Sequence, residues 1–487
     1  MATSSSSASS ASPLASSSQG PLDSARGRAS ASLGFEAPPA HLALAQVHYL
    51  VRHGERTPVR TRLTNSNPAI PARWNFCHAG RQFATAVSDL TPTEGAHRLP
   101  AGPWQKKGEE QWSGTMRVAK GTESTKRDTP VPGEEGECLL GELTDLGRAS
   151  TFQLGAALRA LYIDQLQLLP SRLSPQDAEA VYFRSTNMSR TIESCQSLIR
   201  GLLPQTREKE DAFTPTILVR NGTDENLLPN TFGCARLRVL DGQFAAFAAS
   251  QHASHLATFD AAVAPHCDGT LPRVDGHPRL NGIVDTIRAA QAHALPVPKV
   301  FERPDVVEAF ETAVVDEWFT GYKAQDEALR KQYRRLAMGR LLGDLQGRMQ
   351  SKAEKGEQEK LKLALYSAHD TSLAGLLSTL DVFEQRWPSF TASVGIELWR
   401  DTRASAQPSL LSFLGLGRST TQHYVRMRYG DSTLRLPACA GKGQHLDGKP
   451  EFCTLEAFGE AVEALRHEGG KTWEEECEEG RGAKSSK

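Results

Sequence analysis

No run in these 487 residues approaches the roughly 18 continuous apolar residues that a membrane-spanning helix needs. The N-terminus also lacks the apolar stretch of a secretory signal. The expectation is therefore a soluble intracellular chain, cytoplasmic or mitochondrial. Charge of one sign is missing too: 56 Lys and Arg against 57 Asp and Glu leave a formal net charge of -1, which gives no reason to expect nucleic acid as a partner. An acidic substrate would have to be met by a local cluster of cations. Cysteines are few, at positions 77, 138, 195, 234, 267, 439, 453 and 477, and none forms a Cys-x-x-Cys pair. That spacing gives no support to a zinc or iron-sulfur site, and no cofactor is expected. Free thiols are the expectation, although Cys439 and Cys453 flank a Gly-rich loop and could close a short disulfide in an oxidising compartment. The sequons at Asn187 and Asn221 carry meaning only in a secreted protein. A P-loop, a Gly-x-Ser-x-Gly elbow, a His-Glu-x-x-His helix and an EF-hand loop are all absent, so metal-dependent hydrolysis finds no support.

What is present is a globular composition, 39% hydrophobic and 23% charged. Thirteen serines in the first 40 residues mark a disordered Ser/Ala-rich tail or an organelle transit peptide. Short β-branched and aromatic runs predict buried strands over Gln46 to Val51, Ala180 to Phe183, Leu361 to Ser367, Val394 to Trp399 and His423 to Tyr429. Helical periodicity appears between them, as in Leu154, Ala157, Leu158, Leu161 and Tyr162, and in Met188, Ile192, Cys195 and Ile199. This alternation predicts an α/β fold: a mostly parallel central sheet flanked by helices, with a mainly helical cap inserted in it. Core segments are expected over 41–205 and 356–470, with an irregular insertion at about 65–138, the cap over 206–355 and a charged tail over 471–487. Within the cap, Pro304 suits a helix N1 position, and Val307, Phe310, Val314 and Trp318 trace a face read first as ordinary core, with part of it lining a substrate pocket as the lesser reading.

Ligands of such sheets bind beyond the carboxyl ends of strands. Three predicted strand ends deliver Arg52-His53-Gly54-Glu55-Arg56, then Arg184-Ser185-Thr186-Asn187, then His369-Asp370-Thr371. Three arginines, two histidines and an aspartate match phosphoryl transfer, in which cations clamp the equatorial oxygens and guanidinium forks suit phosphate best. Arginines around His53 oppose its protonation and keep a ring nitrogen free to attack. Asp370 can protonate the leaving alkoxide and later take a proton from water. Gly54 leaves room where His53 must present its ring. Duller readings stand beside these: Arg184 pairing with a surface carboxylate, and Asp370 serving only as a helix N-cap. Arg, His, Gly, Arg and Pro at these offsets arise by chance in about one chain in ten thousand. Glu55 has no firm role.

The run Arg52-His53-Gly54-Glu55-Arg56-Thr57-Pro58 and the distant His369-Asp370 pair resemble the histidine acid phosphatase family. The stretch Leu143 to Pro204, with Leu-Thr-Asp-Leu-Gly, Arg-Ser-Thr-Asn-Met and Arg-Thr-Ile-Glu-Ser, is similar to its lysophosphatidic acid phosphatase branch. The resemblance implies His53 as phosphorylated nucleophile, Asp370 as proton donor, and Arg52, Arg56, Arg184 and His369 as phosphate holders. It implies a metal-independent phosphatase acting on a small phosphomonoester, with lysophosphatidic acid or an inositol phosphate as substrate. A phosphotransferase or mutase using the same phosphohistidine ranks below these.

Overall fold

The chain from Leu42 to Arg52 forms the central strand, β1, and brings the Arg-His-Gly run to the edge of a nine-stranded sheet. A computed structural model describes residues 33–79, 82–84, 117–119, 121–124, 131–204, 213–403, 421–465 and 471–479. The sheet continues with β2 (Val181–Ser185), β3 (Ile217–Leu218), β4 (Leu363–Ala368), β5 (Ser393–Asp401), β6 (His423–Tyr429), β7 (Ser432–Leu434), β8 (His445–Leu446) and β9 (Lys449–Thr454). Strand order is β8-β9-β6-β5-β1-β4-β2-β3, with β7 beside β6. The sheet expected to be mostly parallel is parallel in the half that carries the site, where β1, β4, β2 and β3 are separated by helical crossovers. From β5 outward the pairings are antiparallel, and the turn Gly430-Asp431 joins β6 to β7 as a hairpin.

Helices cover both faces. On one face lie α1 (Asp145–Leu158) and α2 (Ser189–Leu202), packed over Val47, Tyr49, Val51 and Phe183. These two helices approach closely through Gly155 and Gly201, where a Cβ would meet the partner helix backbone. Between β3 and β4 run α3 (Ala235–Ala257), α4 (Leu280–Ala292), α5 (Pro304–Phe319), α6 (Glu327–Arg334) and α7 (Arg340–Lys355). The stretch 206–355 serves two cores. Leu237, Leu240, Phe319, Leu341, Leu345 and Met349 pack against the opposite sheet face, together with Leu376 of α8 (Asp370–Thr379) and Phe458 of α9 (Leu455–Glu463). The later part of α3, all of α4 and the first part of α5 instead build a separate cluster with Leu63, Ile70 and Trp74. That second cluster roofs the end of β1. Residues 1–32 of the expected N-terminal tail lie outside the described residues, as does most of the irregular insertion, but the tail's last part is ordered against the sheet: Leu33 is buried and Phe35 lies under Arg426 and Arg428.

The face expected as ordinary core is divided. Phe310 and Val314 are buried, whereas Val307 and Trp318 are 42% and 38% exposed. The charged tail is also more than a solvated end: Trp473–Glu478 forms helix α10, which docks through the buried Arg335–Glu476 ion pair at 2.6 Å. Cys477 of that helix is bonded to Cys234 just before α3. Two further disulfides join Cys77 to Cys138 and Cys439 to Cys453, while Cys195 and Cys267 are free and buried. The expectation of free thiols fails for six of the eight cysteines because folding brings distant pairs to Cα separations of 4.6 to 5.4 Å.

Buried polar residues inside β1 are satisfied locally. His48 Nε2 lies 2.9 Å from Gln46 Oε1, and its Nδ1 lies 3.1 Å from the Tyr366 hydroxyl. The Gln46 amide nitrogen donates onward to Leu361 O at 3.1 Å. Burial, assisted by Arg348, pushes the His48 imidazole down to about 3. A histidine held neutral in the fold takes up a proton on unfolding below about pH 6.5, so its contribution is complete above that pH and is lost as pH falls towards 3. The slope is up to roughly 1.4 kcal/mol per pH unit for one such group. Thermal unfolding from pH 7 to 4 should therefore show a shallower acid loss in His48→Asn, by about one proton; an unchanged slope would refute this source.

Candidate active site

His53 follows β1 directly, and its backbone is held on both sides. Its amide donates to Ala368 O at 3.0 Å, and its carbonyl accepts from the Thr391 amide at 3.2 Å. The ring Nδ1 lies 2.9 Å from Gly54 O. A carbonyl can only accept, so Nδ1 carries the proton and Nε2 keeps its lone pair. Burial, then Arg52, Arg56, His369 and Arg190, hold this imidazole well below its ordinary range. The room left by Gly54 is taken by protein, because a Cβ there would strike the backbone of Gly147 in α1. That close approach seats the motif against α1. Glu55 acts on the same contact: its carboxylate accepts from Ser150 Oγ and its carbonyl from the Thr144 amide at 3.0 Å.

Arg52 and Arg56 present their guanidiniums over Phe390, with Cζ at 4.3 and 5.7 Å from the ring centroid. The Phe390 ring also contacts His53. Arg52 Nη2 is 2.7 Å from Asp370 Oδ2, and Arg56 makes a two-pronged pair with Asp285 of α4 at 2.8 and 3.2 Å. His369 is the N-cap of α8 and Asp370 its first residue, so capping falls to His369 and the carboxylate of Asp370 is left to face the site. Asp370 Oδ1 accepts from the Thr371 amide at 2.8 Å, and Oδ2 accepts from Trp387 Nε1 at 3.1 Å. Burial opposes ionisation of Asp370, but Arg52, His369, Arg56 and the Thr371 amide outweigh it and hold its carboxyl below the usual range. His369 Nε2 lies 2.9 Å from Thr186 Oγ1, its ring centroid is 5.7 Å from that of His53, and burial with Arg190 pushes it down to about 3.

The structure brings Arg52, His53, Arg56, His369 and Asp370 together but not Arg184. Arg184 points to the α7 face of the sheet, 1% exposed, where it pairs with Glu225 and donates to Asn226 Oδ1 at 2.7 Å. Strand parity explains this, since Arg184 shares a face with Tyr182 and lies opposite Tyr366 in β4. The third cation is Arg190, at the second position of α2, whose charge acts on both His53 and His369. Its Nε is buried without a hydrogen-bond partner among the described residues. A cation in the first turn of a helix opposes the helix dipole, and that violation was the legible signal for Arg190.

In front of these groups opens a cavity of about 220 Å³, lined by Arg52, Arg56, Asp285, Asp370 and Phe390 and walled by Val314 and Trp318 of α5. A smaller groove of about 60 Å³ adjoins it past Arg288, between Ile287 of α4 and Phe310 of α5. A neutral imidazole packed beside guanidiniums and a carboxylate that line a cleft is the equipment of phosphoryl transfer.

Residues 43–430 match the model of the histidine phosphatase superfamily, branch 2, and the chain belongs to that family. It is a phosphomonoester hydrolase of the histidine acid phosphatase type. A Schizosaccharomyces pombe protein named "Probable acid phosphatase" is 34% identical over 462 residues, covering 88% of this chain and 93% of its own. Lysophosphatidic acid phosphatase type 6 of Pongo abelii is 28% identical over 274 residues, 55% of this chain and 58% of that one. Among solved structures, the apo form of Hafnia alvei phytase superposes with a TM-score of 0.53 at 14% identity, covering 88% of this chain and 98% of its own, a likeness of fold.

Proposed function

We propose that His53 Nε2 attacks the phosphorus of a small organic phosphomonoester, forming a P–N bond as the ester P–O bond breaks. Asp370 gives its proton to the departing alkoxide. Water then forms a new P–O bond as P–N breaks, returns a proton to Asp370 and releases inorganic phosphate. Arg52, Arg56, Arg190 and His369 hold the phosphate oxygens. The single observation that carries this reading is the Nδ1 contact to Gly54 O, which leaves the Nε2 lone pair free amid arginines.

Because its imidazole is held well below the ordinary value, His53 stays neutral on acidification through the range where an ordinary histidine gains a proton. Asp370 is paired with Arg52 before substrate arrives, and a phosphate dianion engaging Arg52 raises the carboxyl towards its working range. Activity should therefore persist as pH falls through 6.5 and decline as pH rises. A one-proton loss centred near 6.5 on acidification would contradict it. Asp370→Asn should slow the first step, read as leaving-group release in a single turnover, by about a hundredfold or more with an alkyl phosphate, yet slow that step much less with nitrophenyl phosphate, whose leaving group needs no proton. Equal losses on both substrates would refute the acid role.

Lysophosphatidic acid is one substrate candidate, supported by the named relative and by the apolar groove beside the cavity. An inositol phosphate is the other. The three disulfides favour an oxidising compartment over the cytoplasm, and counting thiols in protein isolated under acidic quench would check it.

A further inference from the structure

Four arginines and two aspartates line the catalytic cavity. Three of the arginines have a carboxylate partner: Arg52 with Asp370, Arg56 with Asp285, and Arg288 with Glu311 at 3.1 Å. Arg62 has none among the described residues, and its Nη1 is buried without a hydrogen-bond partner. It reaches the cavity from the loop after the Arg-His-Gly run and lies against Gly282 in the first turn of α4, where a Cβ would overlap its guanidinium. The opposite charge that acts on it is Asp285, whose two oxygens already accept from Arg56. His53 is influenced by Arg52, Arg56 and Arg190, and Arg62 is not among its principal influences. Arg62 therefore stands outside the clamp on the reacting phosphate.

We propose that Arg62, seated on Gly282, is a second anion subsite, and that the preferred substrates are phosphomonoesters carrying a further acidic group, a phosphate or a carboxylate. A half-buried guanidinium with an unmet donor is unfavourable alone, and an anion at that point satisfies the donor and neutralises the charge. The walls Val284, Val314 and Trp318 are apolar, so the body joining the two acidic groups packs against carbon while its ends are held by cations. The subsite rests on the hydrolase reading above and selects among its substrates.

The test compares kcat/KM within matched pairs: glucose 1,6-bisphosphate against glucose 1-phosphate, and 3-phosphoglycerate against glycerol 3-phosphate. The wild type should favour the doubly acidic member of at least one pair by about tenfold. Which pair shows it distinguishes phosphate from carboxylate. Arg62→Gln should reduce that ratio to near one, and Gly282→Ala should lower it too by displacing the guanidinium. Alanine favours a helix over glycine, so loss of fold would not explain a drop in the second variant. A wild-type ratio near one in both pairs, or a ratio that survives Arg62→Gln, overturns the subsite while turnover of nitrophenyl phosphate leaves the hydrolase intact. No phosphate release from any substrate overturns both.

Discussion

His53→Ala is expected to reduce phosphate release by at least about 10⁴-fold, because among the described residues His53 is the one neutral imidazole beside the arginine clamp whose Nε2 has no partner. His369 is the rival, but its Nε2 is engaged with Thr186 Oγ1. The loss should appear in kcat, with binding of inorganic phosphate largely kept, since Arg52, Arg56 and Arg190 remain. The His53 ring makes its one side-chain hydrogen bond to its own neighbour, Gly54, so the melting temperature should move by only a few degrees. Retention of more than about a hundredth of wild-type activity would show that another residue attacks.

The second large effect separates two arginines that the sequence presents six residues apart. Arg190→Ala should lower kcat/KM by about 10² to 10³-fold, since it removes a cation that acts on both histidines of the site. Arg184→Ala should do something different. Removing it leaves Glu225 buried without its partner, at a cost of about 3–5 kcal/mol in stability. The fraction that remains folded should turn over nearly normally. Measured side by side, melting temperature and kcat/KM should thus exchange their responses between the two variants. If Arg184→Ala instead abolished activity at unchanged stability, the assignment of the clamp would be wrong.

That exchange also shows what the sequence could convey. β1 and the run after it were readable because a strand buried on both faces has a continuous apolar signature and because Arg52, His53 and Arg56 are contiguous with it. The pair His369-Asp370 was readable for the same reason at the end of β4. Arg184 misled because it lies within a strand end, where one residue of parity decides the face, whereas Arg190 lies a loop later on a helix. Asp285, Arg288 and Trp318 come from cap helices, and Trp387 and Phe390 come from the loop between α8 and β5. None of these sits near a motif; the helical stripe carrying Trp318 is visible in the sequence, but only tertiary packing brings it and the others to the cavity. The missing side chain of Gly54 signals space for substrate in the sequence, but in the fold that space is filled by the backbone of α1. Of the three disulfides, Cys439–Cys453 spans only 14 residues around a Gly-rich loop and is visible in the sequence as a possible pair, whereas separations of 61 and 243 residues carry no local signal, and eight cysteines allow many connectivities.

The central claim is a covalent phosphate on His53, and Asp370→Asn is the variant in which to see it. With nitrophenyl phosphate the first step needs little help from the acid, while the second still needs a base to activate water. The intermediate should therefore accumulate. Acid-free quenching after rapid mixing, followed by peptide mass spectrometry, should find one phosphate per chain on His53, stable to base and labile to acid. Phosphate on another residue, or a burst of nitrophenolate with no phosphorylated peptide containing His53, would contradict the account.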